Sequence, residues 1–68
     1  MNTLKINGTE KEFDKLPSTL VELLDKMKIN HATIVAEIDG AIIARDKFGQ
    51  TPIKADQKIE LIRFVGGG

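Results

Sequence analysis

Two dipeptides, Asn7-Gly8 and Asp39-Gly40, restrict this chain more than any other feature. Each suits a two-residue hairpin turn whose central residues take positive φ, a conformation that Asn, Asp and Gly tolerate best. The flanking residues agree with that reading. Leu4 and Ile6 alternate with Thr3 and Lys5 ahead of the first turn, and a polar strand with Glu10 and Glu12 runs from about Thr9 to Phe13 behind it. Ile34, Ala36 and Ile38 alternate with Val35 and Glu37 ahead of the second turn, and Ala41 to Ala44 returns from it. A period of two marks half-buried strands, so the chain is expected to contain two hairpins.

Between the hairpins the period changes. Leu20, Leu23, Leu24 and Met27 fall at i, i+3, i+4 and i+7 and form one apolar stripe on a helix of about three turns. Pro17 introduces this helix, and Thr19 with Glu22 has the T-x-x-E spacing of a capping box. After the second hairpin, Asp46 to Thr51 reads as an irregular or single helical turn with Phe48 as its core anchor. Ile59, Leu61 and Val65 mark a last strand. The order is ββαββ with a closing β, which predicts an α+β fold: a mixed five-stranded sheet with one helix packed across one face.

Composition narrows the function. A chain of 68 residues makes one small domain, and the absence of Cys excludes disulfides, thiolate metal sites and a cysteine nucleophile. Ten basic and ten acidic residues are interspersed, with no basic stripe and only three Phe, so no nucleic-acid partner is expected. The first ten residues lack the basic and apolar regions of a signal peptide, and no apolar run exceeds four residues. A soluble, cytoplasmic protein without a membrane partner is the expectation. His31, the only histidine, has no second ligand type arranged around it and reads as a solvated loop residue, so no metal is expected. No carboxylate pair, nucleophile with base, or phosphate-cradling loop is recognisable, which points away from an enzyme and from any cofactor.

The chain ends "FVGGG", three glycines directly after a hydrophobic pair. Glycine loses the most backbone freedom on ordering and is a poor choice for holding a fold. The tail is therefore either a linker stub or the working part. The whole chain resembles the ThiS-type sulfur carriers of thiamine thiazole biosynthesis, a branch of the ubiquitin-like β-grasp fold. The early "NG" turn, "TLVELL" at the helix start, "IVAEIDGAIIAR" for the second hairpin and above all "IELIRFVGGG" carry the resemblance. Asp39 stands where that family usually has Asn, Asp56-Gln57 replaces a common Gly-Asp, and Ala44 stands where Pro is frequent. The turns at Asp39 and Asp56 are still expected, because Asp is among the non-Gly residues that visit left-handed backbone most easily.

The resemblance implies a protein cosubstrate rather than a catalyst. An E1-like adenylating enzyme would activate the Gly68 carboxylate, sulfur drawn from cysteine through a desulfurase would convert it to a thiocarboxylate, and thiazole synthase would take that sulfur. It also implies a β-grasp domain over residues 1–65 and a flexible tail over 66–68, in which Gly66 and Gly67 thread the partners' active sites. Glycine fits that role, having no Cβ to crowd a narrow channel. The strand ahead of the tail adds docking candidates. With Ile59 and Leu61 inward, Glu60, Ile62 and Phe64 share the opposite face. Ile62, Phe64 and the neighbouring Val65 are expected to dock partners, although Val65 has the inward parity of Leu61, and Ile62 and Phe64 could instead pack beneath loop residues such as Phe48. Arg45 and Arg63 read as solvated surface charges. The free carrier is expected to be a monomer. The rival readings are the small subunit of molybdopterin synthase, a carrier for tRNA or amino-acid thiolation, and a β-grasp interaction module whose tail is only a linker.

Overall fold

The computed structural model describes residues 2–64. Strand β1 (Thr3–Ile6) turns at Asn7-Gly8 into β2 (Thr9–Glu12), and helix α1 (Leu20–Lys26) follows. Strands β3 (Ile34–Ile38) and β4 (Ala41–Ile43) form the second hairpin, and β5 (Lys58–Arg63) closes the sheet. The sheet order is β2-β1-β5-β3-β4. Only β1 and β5 run parallel, with Ile6 opposite Ile59; every other neighbouring pair is antiparallel. This is the expected α+β arrangement, with the last strand in the centre of a mixed five-stranded sheet.

The turn chemistry behaves as the residue types require. Asn7 and Gly8 have φ of 51° and 82°, and Asp39 and Gly40 have 51° and 88°. Positive φ at both central residues gives the turn whose twist matches the flanking strands. Asp56 also sits in left-handed backbone, at φ 69°. The substitution of Asp for more usual turn residues at 39 and 56 therefore leaves both turns in place.

The helix is shorter than its apolar stripe suggested: seven residues, or about two turns. Lys28 takes φ 59° and ends it. The Lys28 N–H donates to the Asp25 carbonyl at 3.0 Å and the Ile29 N–H to the Leu24 carbonyl at 2.9 Å. These two bonds satisfy terminal carbonyls in the pattern of a left-handed C-terminal cap, which Gly usually supplies. At the other end Thr19 Oγ1 accepts from the Glu22 N–H at 3.3 Å, as the capping box requires. The Glu22 carboxylate accepts from the Ser18 N–H at 3.0 Å, one residue earlier than the box predicts. Backbone bonds from Leu20 N–H to Thr51 O and from Ile53 N–H to Ser18 O hold this approach extended, which brings the Ser18 N–H within reach.

Leu20, Leu23 and Leu24 are fully buried against Leu4, Ile6, Ile34, Ala36, Ile38, Ile59 and Leu61 on the inner face of the sheet. Each such leucine contributes about 1.5–3 kcal/mol through removal from water. Phe48, carried by a 3₁₀ segment (Arg45–Gln50), and Ile53 complete this core. One sheet face is thus covered by the helix and the other is left open. At the sheet edge β2, Thr-Glu-Lys-Glu, is charged and exposed at every residue, which discourages further strand pairing there. Among the described residues no helix is long and apolar enough to cross a membrane.

Candidate functional site

β5 leads directly to the C-terminal residues, so what holds this strand decides how its end is presented. On one side β3 pairs with it along its length, from Ile38 opposite Ile59 to Ile34 opposite Arg63. On the other side β1 ends at Ile6, opposite Ile59, and offers no strand residue to Leu61. The Asn7 side chain takes that place. Its Oδ1 accepts from the Leu61 N–H at 2.7 Å and its Nδ2 donates to the Leu61 carbonyl at 3.3 Å. At the opposite end of the strand, the Asp39 N–H donates to the Lys58 carbonyl at 2.7 Å, and the Asp39 carboxylate accepts from the Lys58 N–H at 2.9 Å. Both hairpin turns therefore grip the central strand with their own side chains.

The outer face of that strand presents apolar groups near the tail. Ile62 is 49% exposed and Phe64 43% exposed. Phe64 extends the strand, its N–H donating to the Thr33 carbonyl at 3.1 Å. The alternative of packing beneath Phe48 does not occur, because Phe48 is buried with the helix on the inner face. Val35, partly buried, stands opposite Ile62 on the neighbouring strand. Val65, Gly66, Gly67 and Gly68 lie outside the described residues.

Two further features of this face were not evident from the sequence. Ile42 on β4 is 70% exposed, the most exposed large apolar side chain among the described residues. Glu60 stands directly opposite Glu37, which in turn stands opposite Ile42. The sequence shows each of these residues at an outward position, but only the strand register joins them in one row. A pattern search confined to β5 reaches Ile62 and Phe64 and stops there.

His31 is partly buried rather than a freely solvated loop residue. It opens a short 3₁₀ turn (His31–Thr33), its Nε2 lies 3.0 Å from Asp25 Oδ1, and its ring meets Phe48 edge-on at 6.3 Å. It thereby ties the turn to the helix. Arg45 donates to the Ala32 carbonyl at 3.3 Å, and Arg63 is exposed at the end of β5. On the helix side, a surface depression is lined by Lys15, Leu16, Pro17, Ser18, Glu22, Asp25 and Lys26. Among the described residues no three His, Cys, Asp or Glu side chains gather as metal ligands, and no polar or charged residue is buried. The features that stand out are a braced central strand and exposed apolar side chains at its outer end, which suit contact with another protein.

Comparison with known proteins places this geometry. The ThiS family model matches residues 4–68. The sulfur carrier protein ThiS of Bacillus subtilis is 26% identical over 65 residues, covering 96% of this chain and 98% of that protein. A thiazole synthase of Paramagnetospirillum magneticum is 28% identical over 65 residues, which are 96% of this chain but only 20% of that protein. The crystal structure of the thiamine biosynthesis protein ThiS from Geobacter metallireducens superposes with a TM-score of 0.82 at 31% identity, covering 97% of this chain and 99% of that one. A solution NMR structure of a thiamine biosynthesis protein from the same organism gives 0.78 at 31% identity, with coverage of 97% and 87%.

Proposed function

This chain belongs to the ThiS family, and from that membership we propose that it carries sulfur for the thiazole ring of thiamine. It acts as a cosubstrate and not as a catalyst. The observation that carries the reading is the "FVGGG" end, which lies within the family match and follows the apolar end of a braced central strand. The two Geobacter structures are of thiamine biosynthesis proteins and one relative is a thiazole synthase, which favours the thiamine branch over the molybdopterin one.

The chemistry follows from the poor electrophilicity of a carboxylate. An E1-like adenylating partner brings ATP, a Gly68 carboxylate oxygen attacks the α-phosphorus, and pyrophosphate leaves. The terminal sulfur of a persulfide, formed from cysteine by a desulfurase, then attacks the acyl-adenylate carbon and AMP leaves. A partner thiol reduces the resulting acyl disulfide, forming a disulfide of its own and freeing the thiocarboxylate. The resulting thiocarboxylate donates its sulfur to thiazole synthase. The match to one segment of a thiazole synthase supports that partner. Gly66 and Gly67 suit a narrow channel because neither has a side chain to collide with its walls.

The short reach from the strand end to Gly68 makes docking necessary. Gly68 lies four residues past Phe64, at most about 14 Å away even when fully extended. A partner that acts on Gly68 in a recessed site must therefore lie against the end of the sheet, where Ile62 and Phe64 are exposed. Val65 is proposed to share that contact. The test is intact-mass analysis of the protein from its native host, where a fraction heavier by one sulfur-for-oxygen exchange is expected. In parallel, removing Gly68, or adding residues after it, should abolish rescue of a thiamine-requiring strain while the circular dichroism spectrum stays unchanged. Full rescue by an extended carrier shown to remain uncleaved would refute the role of Gly68.

A further inference from the structure

Glu37 and Glu60 make an arrangement that the fold alone does not favour. They stand directly opposite each other on β3 and β5, both on the outer face and both partly buried. Cross-strand neighbours have Cβ atoms about 4.5–5.5 Å apart, and like charges in that relation destabilise a sheet. Partial burial strengthens the repulsion, because the intervening medium is less polarisable than water. Among the described residues neither carboxylate has a salt-bridge or hydrogen-bonding partner. Lys58 and Lys5, opposite each other one step further along the same face, form a salt bridge with neither glutamate. Local rules of this kind are broken mainly where function requires it.

The surroundings define what would relieve the repulsion. Ile42 flanks the row on the β4 side, and Val35 with Ile62 forms the next row toward the tail. The acidic pair is thus continuous with the apolar end of β5 that the docking reading uses. A second copy of this chain laid on the same face would bring two acidic pairs together, and a phosphate backbone would meet the same repulsion. A protein surface with a cationic side chain set among apolar ones satisfies both halves of the patch. Arginine fits best, since its planar fork can accept two carboxylates and stack on apolar neighbours.

We infer that the adenylating partner inserts a cationic side chain, an arginine, between Glu37 and Glu60, with Ile42 and Ile62 packed beside it. This makes the two glutamates specificity-determining residues of the docking face. The inference rests on the docking reading above and goes further by naming the partner's chemistry.

The experiment compares Glu37→Gln/Glu60→Gln with Phe64→Ala and the unaltered full-length chain. Binding to the host's E1-like adenylating enzyme is titrated calorimetrically at two salt concentrations, and thermal midpoints are recorded. The double Gln variant is expected to bind at least about tenfold more weakly, to lose most of the salt dependence of binding, and to melt no earlier than the parent. Unchanged affinity in the double Gln variant beside weakened binding by Phe64→Ala would overturn the inference and leave the docking reading standing. Unchanged affinity in both variants would overturn both. An earlier melt of the double Gln variant, or weakening toward thiazole synthase alone, would also refute the assignment.

Discussion

Replacing Asn7 tests whether a side chain serves as a rung of the sheet. In Asn7→Gly the left-handed backbone is retained at no steric cost, but the Leu61 N–H and carbonyl lose partners held at 2.7 and 3.3 Å. Leaving such groups without partners costs about 1–3 kcal/mol in a partly buried setting. Asn7→Ala loses the same two bonds and also forces a Cβ-bearing residue that gains nothing locally into φ near 51°, adding about 1–2 kcal/mol. The expected order of stability is Asn, then Gly, then Ala, with Ala lower than the parent by about 2–5 kcal/mol. Domains of this size have about 3–5 kcal/mol in total, so Asn7→Ala should approach complete unfolding. Urea titration followed by far-UV circular dichroism gives the three free energies, and hydrogen exchange adds a local readout. In Asn7→Gly the Leu61 amide should exchange faster while the amides of the β3–β4 hairpin remain protected. Equal stability of the parent and Asn7→Gly would refute the rung. Equal stability of the Gly and Ala variants would refute the left-handed penalty.

Three other perturbations probe the helix and the exposed strand end. Lys28→Gly should stabilise the protein by about 1 kcal/mol, because Gly occupies the left-handed helix cap without a Cβ penalty; a lower urea midpoint would contradict the cap. Leu24→Ala truncates a fully buried side chain in the helix stripe and should cost about 2–5 kcal/mol, with loss of function tracking loss of the circular dichroism signal. Phe64→Ala should weaken binding to the adenylating enzyme by at least about 1 kcal/mol, yet melt later than Leu61→Ala, which opens a cavity beneath the helix. If Phe64→Ala melts as early as Leu61→Ala and still binds normally, Phe64 serves the fold and the docking face lies elsewhere.

How far the fold could be read from the sequence depends on which interactions are local. The turns at Asn7-Gly8 and Asp39-Gly40, the inward positions of β1 and β3 and the core role of Phe48 follow from neighbouring residues, and the structure agrees. The helix end was missed because its signal is usually Gly, and here Lys28 adopts the same conformation. Met27, the last residue of the stripe, consequently caps the helix from outside it. His31 was misread for a related reason: its partners Asp25 and Phe48 come from other elements.

The same distinction explains what the sequence concealed about the site. Asn7 and Asp39 are recognisable as turn residues from their tolerance of positive φ, a property of the residue type. Their second task, bonding Leu61 and Lys58, exists only because β5 enters between the two hairpins. This also accounts for the chemical difference between the two turns. Asp39 needs only to accept from an N–H, which a carboxylate does well, and its own backbone N–H supplies the donor to Lys58. Asn7 must accept and donate through one side chain, so an amide is required and Asp would place an oxygen against the Leu61 carbonyl. The two turns are interchangeable as hairpin signals and not interchangeable as clamps. Since both clamps act on β5, their combined effect is to fix the direction in which that strand presents Ile62 and Phe64. The proposed Gly68 site lies four residues past Phe64, at most about 14 Å away, so a partner that engages it is expected to seat against the strand end that Asn7 and Asp39 brace.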